Sequence, residues 1–168
     1  MGSEYQPLRC SGIYRNLPTF DVDMRGLNAL VVGATGISGF NTVGSLLATP
    51  GRWSMIYAVS RSLFREEMLS LLSPEQQSRI RHVSVDLTGS AKDIASSLQK
   101  GDVHADYVFP YGYIHRKDVS AMDPRAEGQM IETNVPLFMN FLEALPAANI
   151  TPKRILLQTG GNNYGGYI

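Results

Sequence analysis

The chain has 168 residues, enough for one domain with a buried core and too few for two of ordinary size. Apolar residues at 43% and charged residues at 18% exclude a disordered or fibrous chain. Fifteen Lys and Arg balance fifteen Asp and Glu, so no global field draws in nucleic acid or an anionic membrane, and the expected partner is a small-molecule substrate. Cys10 is the single cysteine, which rules out an internal disulfide and points to a cytoplasmic protein. Neither a signal-peptide pattern nor a membrane-length apolar stretch is present, and a soluble protein is expected.

Residues 1–25 hold Pro7 and Pro18 and no sustained period, and they read as an irregular leader before an α/β domain over 26–168. From Leu27 onward, apolar runs of strand length alternate with stretches of helical spacing, the pattern of a parallel sheet with crossover helices. The first strand is predicted at Ala29 to Val32, then a glycine turn and a helix with Ile37, Phe40, Val43 and Leu47 on its apolar stripe. Pro50 and Gly51 end that helix. The second strand is Met55 to Val59, with a helix predicted over Leu63 to Leu72. Ser73-Pro74-Glu75-Gln76 then supplies a cap, a proline at the first helical position and a capping-box glutamine.

Ile80 to Val85 reads as the third strand, followed by a helix capped by Ser90, carrying Ile94 and Leu98 and ended by Gly101. Tyr107 to Phe109 is the core of a fourth strand. Asp123-Pro124 starts a long helical region with Met130, Ile131, Leu137, Phe141 and Leu145 on its inner side, and Pro136 predicts a kink or restart. The fifth strand is Arg154 to Gln158.

The strongest chemical signal is Gly33-Ala34-Thr35-Gly36-Ile37-Ser38-Gly39, set between an apolar strand and an amphipathic helix. A tight turn, a close-approaching pyrophosphate and a helix packed on its strand each need a residue without a side chain, and the helix start offers free N–H groups to phosphate. After the second strand, Ser60-Arg61-Ser62 places a guanidinium between two hydroxyls, with no Asp or Glu between Gly39 and Glu66. That pattern suits the extra phosphate of NADP rather than the ribose hydroxyls of NAD, with Arg65 as a second contact; a solvated surface arginine is the alternative. Asp86-Leu87 closes the third strand, where the carboxylate either accepts from an adenine amino group or caps the following turn.

With Asn134 in the long helix and Leu157-Gln158-Thr159-Gly160 after the fifth strand, these motifs resemble an extended short-chain dehydrogenase/reductase, closest to the progesterone 5β-reductase and iridoid synthase-like enzymes. The resemblance runs from about Leu27 onward. It implies a Rossmann-type doubly wound parallel sheet lacking its last strands and its C-terminal substrate segment. It also implies NADP(H) and hydride addition to an enone or related carbonyl compound, often in secondary-metabolite biosynthesis. On this reading Gly33, Thr35, Gly36, Ile37 and Gly39 seat the pyrophosphate, Ser60, Arg61 and Ser62 take the phosphate, and Asp86 and Leu87 border the adenine. Asn134 and Thr159 then lie near the nicotinamide.

The resembled enzymes carry a lysine two places after the last glycine of that motif, where this chain has Asn162, and their catalytic tyrosine falls beyond Ile168. Tyr164 is the proton donor by default. Tyr113 and Lys117 have the Tyr-x-x-x-Lys spacing, but after the fourth strand rather than the fifth, which makes the spacing a chance one. Phe109, Tyr111 and Tyr113 are expected to shape the cofactor or substrate side of a cleft. His82, His104 and His115 are scattered without metal-ligand spacing, so no metal is expected. The predicted function is therefore NADP-dependent reduction. The alternatives are a non-catalytic remnant that keeps the nucleotide fold and a cofactor-independent isomerase or cyclase. An uncovered sheet edge would favour a homodimer or a covering partner.

Overall fold

The computed structural model describes residues 24–114 and 126–158, so nearly all of the leader read over 1–25 lies outside the described residues. Strand β1 (Leu27–Val32) is buried along its whole length except at Asn28. Side chains alternate along a strand, so Leu27, Ala29 and Val31 enter one core while Leu30 and Val32 enter another. Two buried faces require two covering layers, which is why this strand is a near-continuous apolar run. Helix α1 (Ile37–Leu47) covers the first face with Val43, Leu46 and Leu47. Helices α4 (Ala91–Lys100) and α5 (Ala126–Ala147) cover the second with Ile94, Leu98, Phe141, Ala144 and Leu145.

The remaining strands are β2 (Trp53–Ser60), β3 (Ile80–Ser84), β4 (Tyr107–Pro110) and β5 (Arg154–Ile155). All pairings are parallel, and the sheet order is β3-β2-β1-β4-β5. This is the Rossmann-type arrangement, with the strand order reversing between β1 and β4. At the opposite end of the strands, Asp106 ties three strands together by accepting from the Asn28 N–H at 2.9 Å and from Lys153 Nζ at 2.8 Å. Burial alone would raise its carboxyl, but these two donors outweigh it and hold the group below the ordinary carboxylate value.

Local caps form where the sequence places them. Ser73 and Gln76 make both bonds of a capping box at the start of α3 (Pro74–Ser78), and Ser90 caps α4 with Asp93 answering it. Other expectations need correction. The helix predicted over Leu63 to Leu72 is a single turn, α2 (Glu66–Leu69). Leu63 and Leu71 stay exposed, Phe64 and Leu72 reach the core without a continuous helix, and Gln77 Nε2 donates to the Leu69 and Leu72 carbonyls past its end. Strand β5 has two residues rather than five, although Leu156 N still reaches the Val108 carbonyl at 2.8 Å. Strand β3 ends at Ser84, one residue before the predicted end.

Ile37 is 87% exposed because the first turn of α1 faces the end of the sheet, not the core, and Ile131 is 54% exposed on the outer side of α5. Helix α5 runs as one element through Pro136, so the predicted restart does not occur; its predicted start at Asp123-Pro124 lies outside the described residues. Among the described residues no helix is long and apolar enough to cross a membrane.

Phe141 is 1% exposed and is the largest side chain wholly inside the core between the sheet and α5. Phe141→Ala should lower the stability of the chain by about 3–5 kcal/mol, read as a fall in the urea unfolding midpoint at unchanged slope.

Candidate functional site

The reversal of strand order between β1 and β4 sends one chain toward α1 and the other toward α5, opening a crevice beyond the carboxyl ends of the strands. At its base β1 turns through Gly33, whose φ is +77°. The N–H groups of Gly33 and Ala34 donate to the Val59 carbonyl at 2.8 and 3.1 Å, so the turn is fastened to β2. A Cβ on Gly33 would sit 2.9 Å from the backbone of Tyr111 and Gly112, and one on Gly39 would strike the Gly33 carbonyl and Ala34 Cα. At Gly36 a Cβ would meet only the Gly33 oxygen, at 3.3 Å. Gly33 and Gly39 are therefore required by the turn itself, whereas at Gly36 a Cβ would be tight against a single backbone oxygen.

Gly36 is also the N-cap of α1, and it offers no side-chain cap. The first turn holds no acidic residue. The N–H groups of Ile37, Ser38 and Gly39 consequently have no acceptor among the described residues, and the positive end of the helix dipole is uncompensated.

At the end of β2, Ser60 is buried and its hydroxyl donates to the Ser62 carbonyl at 2.6 Å. Its lone pairs lie 2.9 Å from His82 Nε2. In this fold the one proton Ser60 carries is directed into the turn, while the residue still borders the cleft. Ser62 likewise contributes its carbonyl to the same knot. The exposed Arg61 guanidinium has no hydrogen bond or ion pair among the described residues.

At the end of β3, Asp86 Oδ1 accepts from Thr88 N at 3.0 Å and from Thr88 Oγ1 at 2.8 Å. Of the two readings of Asp86, turn capping is thus realised in the fold. The Thr88 backbone bond, then its hydroxyl, then the nearby Arg61 charge lower the Asp86 carboxyl below its ordinary 3.8.

After β4, Tyr111 accepts a hydrogen bond from Thr42 Oγ1 at 2.9 Å on α1. A Cβ on Gly112 would collide with Leu87, which brings that loop against the turn after β3. Asn134 on α5 accepts from the Ile114 N–H at 2.8 Å and donates to the Ile114 carbonyl at 3.0 Å. Its amide is spent on holding this loop.

These segments enclose two adjoining cavities. One, of about 270 Å³, is bordered by Thr35, Arg61, Asp86, Leu87 and Thr88. The other, of about 690 Å³, is bordered by Ile37, Asn134, Phe138, Leu157 and Gln158. Gly33, Gly36, Tyr111, Gly112 and Tyr113 border both, so the glycine turn and the tyrosine loop divide one cleft into two halves. Gly33, Thr35, Gly36, Ile37 and Gly39 of the glycine turn thus border this cleft, with Ser60, Arg61, Asp86, Leu87, Asn134, Tyr111 and Tyr113. Ser62 and Arg65 line neither cavity, and Phe109 packs on Trp53 in the core. Thr159, Asn162, Tyr164, His115 and Lys117 lie outside the described residues. His104 is at the far end of the sheet, paired with Asp102 at 3.1 Å.

Thr88, Gly112, His82 and Ser84 were not assigned a role from sequence. The Asp-x-Thr spacing and the glycine between two tyrosines were available signals for the first two. The histidine and serine matter only through the pairing of β3 with β2.

No protein-family model matches the sequence, and no curated protein matches it. Solved structures do share the fold. Pen from Bacillus thuringiensis is 22% identical with a TM-score of 0.53, over 81% of this chain and 39% of its own. The ADP-L-glycero-D-manno-heptose-6-epimerase of Helicobacter pylori is 16% identical with a TM-score of 0.60, over 89% and 44%. A Burkholderia multivorans protein described as a short-chain dehydrogenase/reductase, solved with bound NADP, is 16% identical with a TM-score of 0.61, over 86% and 63%. The chain spans 39 to 63% of the length of these proteins, and at such identities the likeness is one of fold.

The lowered Asp86 carboxyl sets a direction for pH dependence. A depressed folded-state value means that the stabilisation from this turn is complete above the ordinary carboxylate value and is lost as pH falls through the depressed one. Thr88→Val removes the hydroxyl donor and keeps the N–H, so the Asp86 carboxyl titration followed by carbon NMR should move upward. An unmoved midpoint would show that the hydroxyl bond is not formed.

Proposed function

We propose that the cleft binds NADP(H) and that the chain is the cofactor-binding part of a short-chain-type oxidoreductase, reducing an enone or related carbonyl compound of secondary metabolism in the cytoplasm. The observation that carries this reading is the delivery of the uncapped α1 N-terminus to the cleft by the Gly33–Gly39 turn, with an Arg61 guanidinium that makes no hydrogen bond among the described residues across the same cavity. Three N–H groups with no acceptor among the described residues and a helix dipole fit a pyrophosphate, and a guanidinium with no hydrogen bond among them fits a phosphate monoester. The bound NADP in the Burkholderia multivorans structure of like fold supports the same ligand.

In this assignment Gly33, Gly36 and Gly39 seat the pyrophosphate, Arg61 pairs with the extra phosphate, and Asp86 and Leu87 border the adenine. Asn134 fixes the wall of the nicotinamide half, and Thr159 and Tyr164 are assigned to the cofactor and to proton donation from the sequence motif. The cofactor would supply the hydride; the chain's own contribution is to hold and orient it. Asn162, standing where the resembled enzymes carry lysine, favours a second reading, a nucleotide-binding protein without catalysis. Exposed Ile155 on β5, Leu156 and Leu157 just after it, and Ile131, Val135 and Met139 on α5 favour a homodimer or a covering partner.

Fluorescence titration of the full chain should give tighter binding of NADPH than NADH. Arg61→Ala should cost NADPH about ten- to a hundredfold in affinity, the worth of a charge-assisted phosphate contact, and leave NADH nearly unchanged. Equal affinity for the two cofactors in the unmodified chain would overturn the reading.

NADPH oxidation over a panel of enones separates the catalytic from the non-catalytic reading. If the chain turns over, Tyr164→Phe should lower the rate by about 10² to 10⁴, the usual worth of a positioned acid, while Tyr113→Phe and Lys117→Met change little. Collapse on losing Tyr113 or Lys117 would place the proton donor on the loop after β4.

A further inference from the structure

The three residues of the Ser60-Arg61-Ser62 turn are each held by a side chain outside the ligand-facing surface. Ser60 Oγ donates to the Ser62 carbonyl at 2.6 Å, closing the turn on itself. From the neighbouring strand β3, His82 Nε2 lies 2.9 Å from Ser60 Oγ and 3.1 Å from the Ser62 carbonyl. With Ser60 directing its proton to that carbonyl, an Nε2–H faces two acceptors, the Ser60 hydroxyl oxygen and the Ser62 carbonyl. Two residues further along β3, Ser84 Oγ donates to the Arg61 carbonyl at 3.3 Å.

The register explains why both reach the same turn. Ser84 stands opposite Ser60 and His82 opposite Ala58, and side chains two apart on a strand share a face. His82 is itself braced. The Phe64 ring meets its imidazole edge to face at 6.4 Å between centroids, and Phe64 in turn contacts Phe40 of α1 at 5.8 Å. A continuous line of contacts therefore joins the helix that starts at the glycine turn to the backbone that carries Arg61.

We propose that His82, assisted by Ser84, is a positioning residue for phosphate selection: it fixes the Arg61 backbone so that the guanidinium meets the cofactor's extra phosphate already oriented. The inference rests on the NADP(H) reading above. His82 makes no contact with the ligand in this role; it acts by limiting the orientations from which Arg61 must be recruited. Its loss should accordingly weaken the cofactor that carries the extra phosphate and spare the one that does not.

The test measures NADPH and NADH affinities by fluorescence titration of the full chain, with thermal melting as a check on folding. His82→Leu should weaken NADPH about two- to tenfold, the range of one lost hydrogen bond, with NADH affinity unchanged. His82→Gln, which returns an N–H at similar reach, should restore the preference, and Ser84→Ala should show a smaller loss in the same direction. In an Arg61→Ala background His82→Leu should have no further effect, because no guanidinium remains to be positioned. If His82→Leu fails to fold, the Gln and Ser84→Ala variants read the same ratio. A preference kept in His82→Leu, or kept in Ser84→Ala where the Leu variant does not fold, but lost in Arg61→Ala, would overturn this inference and leave the cofactor reading intact. Equal loss of both cofactors in His82→Leu would show a merely structural histidine. Equal affinity for both cofactors in the unmodified chain would remove the cofactor reading and this inference together.

Discussion

The close approach of two backbones at the base of the cleft governs everything above it. Strand β1 is buried on both faces, and as it leaves the sheet its first turn residue, Gly33, lies against the main chain of Tyr111 and Gly112, which follows the adjacent strand β4. Tyr111 N donates to the Val32 carbonyl at 2.8 Å, so the two loops are bonded as well as touching. A side chain at Gly33 would have to take a left-handed conformation and wedge these loops apart. Because the loops start together and then diverge to opposite faces of the sheet, the opening between them has a fixed floor. The tyrosine loop and the glycine turn keep their relation through Thr42 and the Tyr111 hydroxyl.

The electrostatic character of the cleft follows from what stands on that floor. Helix α1 begins with no side-chain cap and no acid in its first turn, a stabilising opportunity left unused. The absence of Asp and Glu between Gly39 and Glu66 keeps the β2 side equally free of negative charge, while Arg61 adds a cation. The one carboxylate on the rim among the described residues, Asp86, is turned into the Thr88 amide and hydroxyl and kept ionised beside that cation. An α-helix start with three donors unsatisfied among the described residues is costly to leave bare unless something anionic, or water, answers it.

The strand, turn and helix of residues 27–47 were legible because burial on both faces writes a continuous apolar run and the turn needs glycines at fixed places. Caps were equally legible at Ser73 and Ser90, since a cap is decided within four residues. Periodicity found the apolar stripes of α1 and α5 but not their ends: Ile37 continues the stripe in sequence, yet its turn projects past the sheet. The helix expected over Leu63 to Leu72 failed for a related reason, because Leu63 and Leu71 had nothing to pack against. At the site, Arg61 and Asp86 were found by their position after strands. The roles of Ser60 and His82 were not, because a hydroxyl committed to a carbonyl and a histidine on the next strand become visible only when β3 is laid against β2.

The two walls of the cleft are built by one device used twice. On the β2 side, His82 and Ser84 on a regular strand bond the Ser62 and Arg61 carbonyls; on the β4 side, Asn134 on a regular helix bonds both the N–H and the carbonyl of Ile114. In each case a polar side chain from a rigid element satisfies loop backbone that the sheet no longer can. This leaves the side chains that face the cleft, Arg61 and Tyr113, exposed and uncommitted among the described residues while the main chain beneath them is tethered. Loops normally trade order for reach. Here the tethers separate the two: the backbone takes its position from β3 and α5, and only the last few bonds of each side chain remain to be ordered when a ligand arrives.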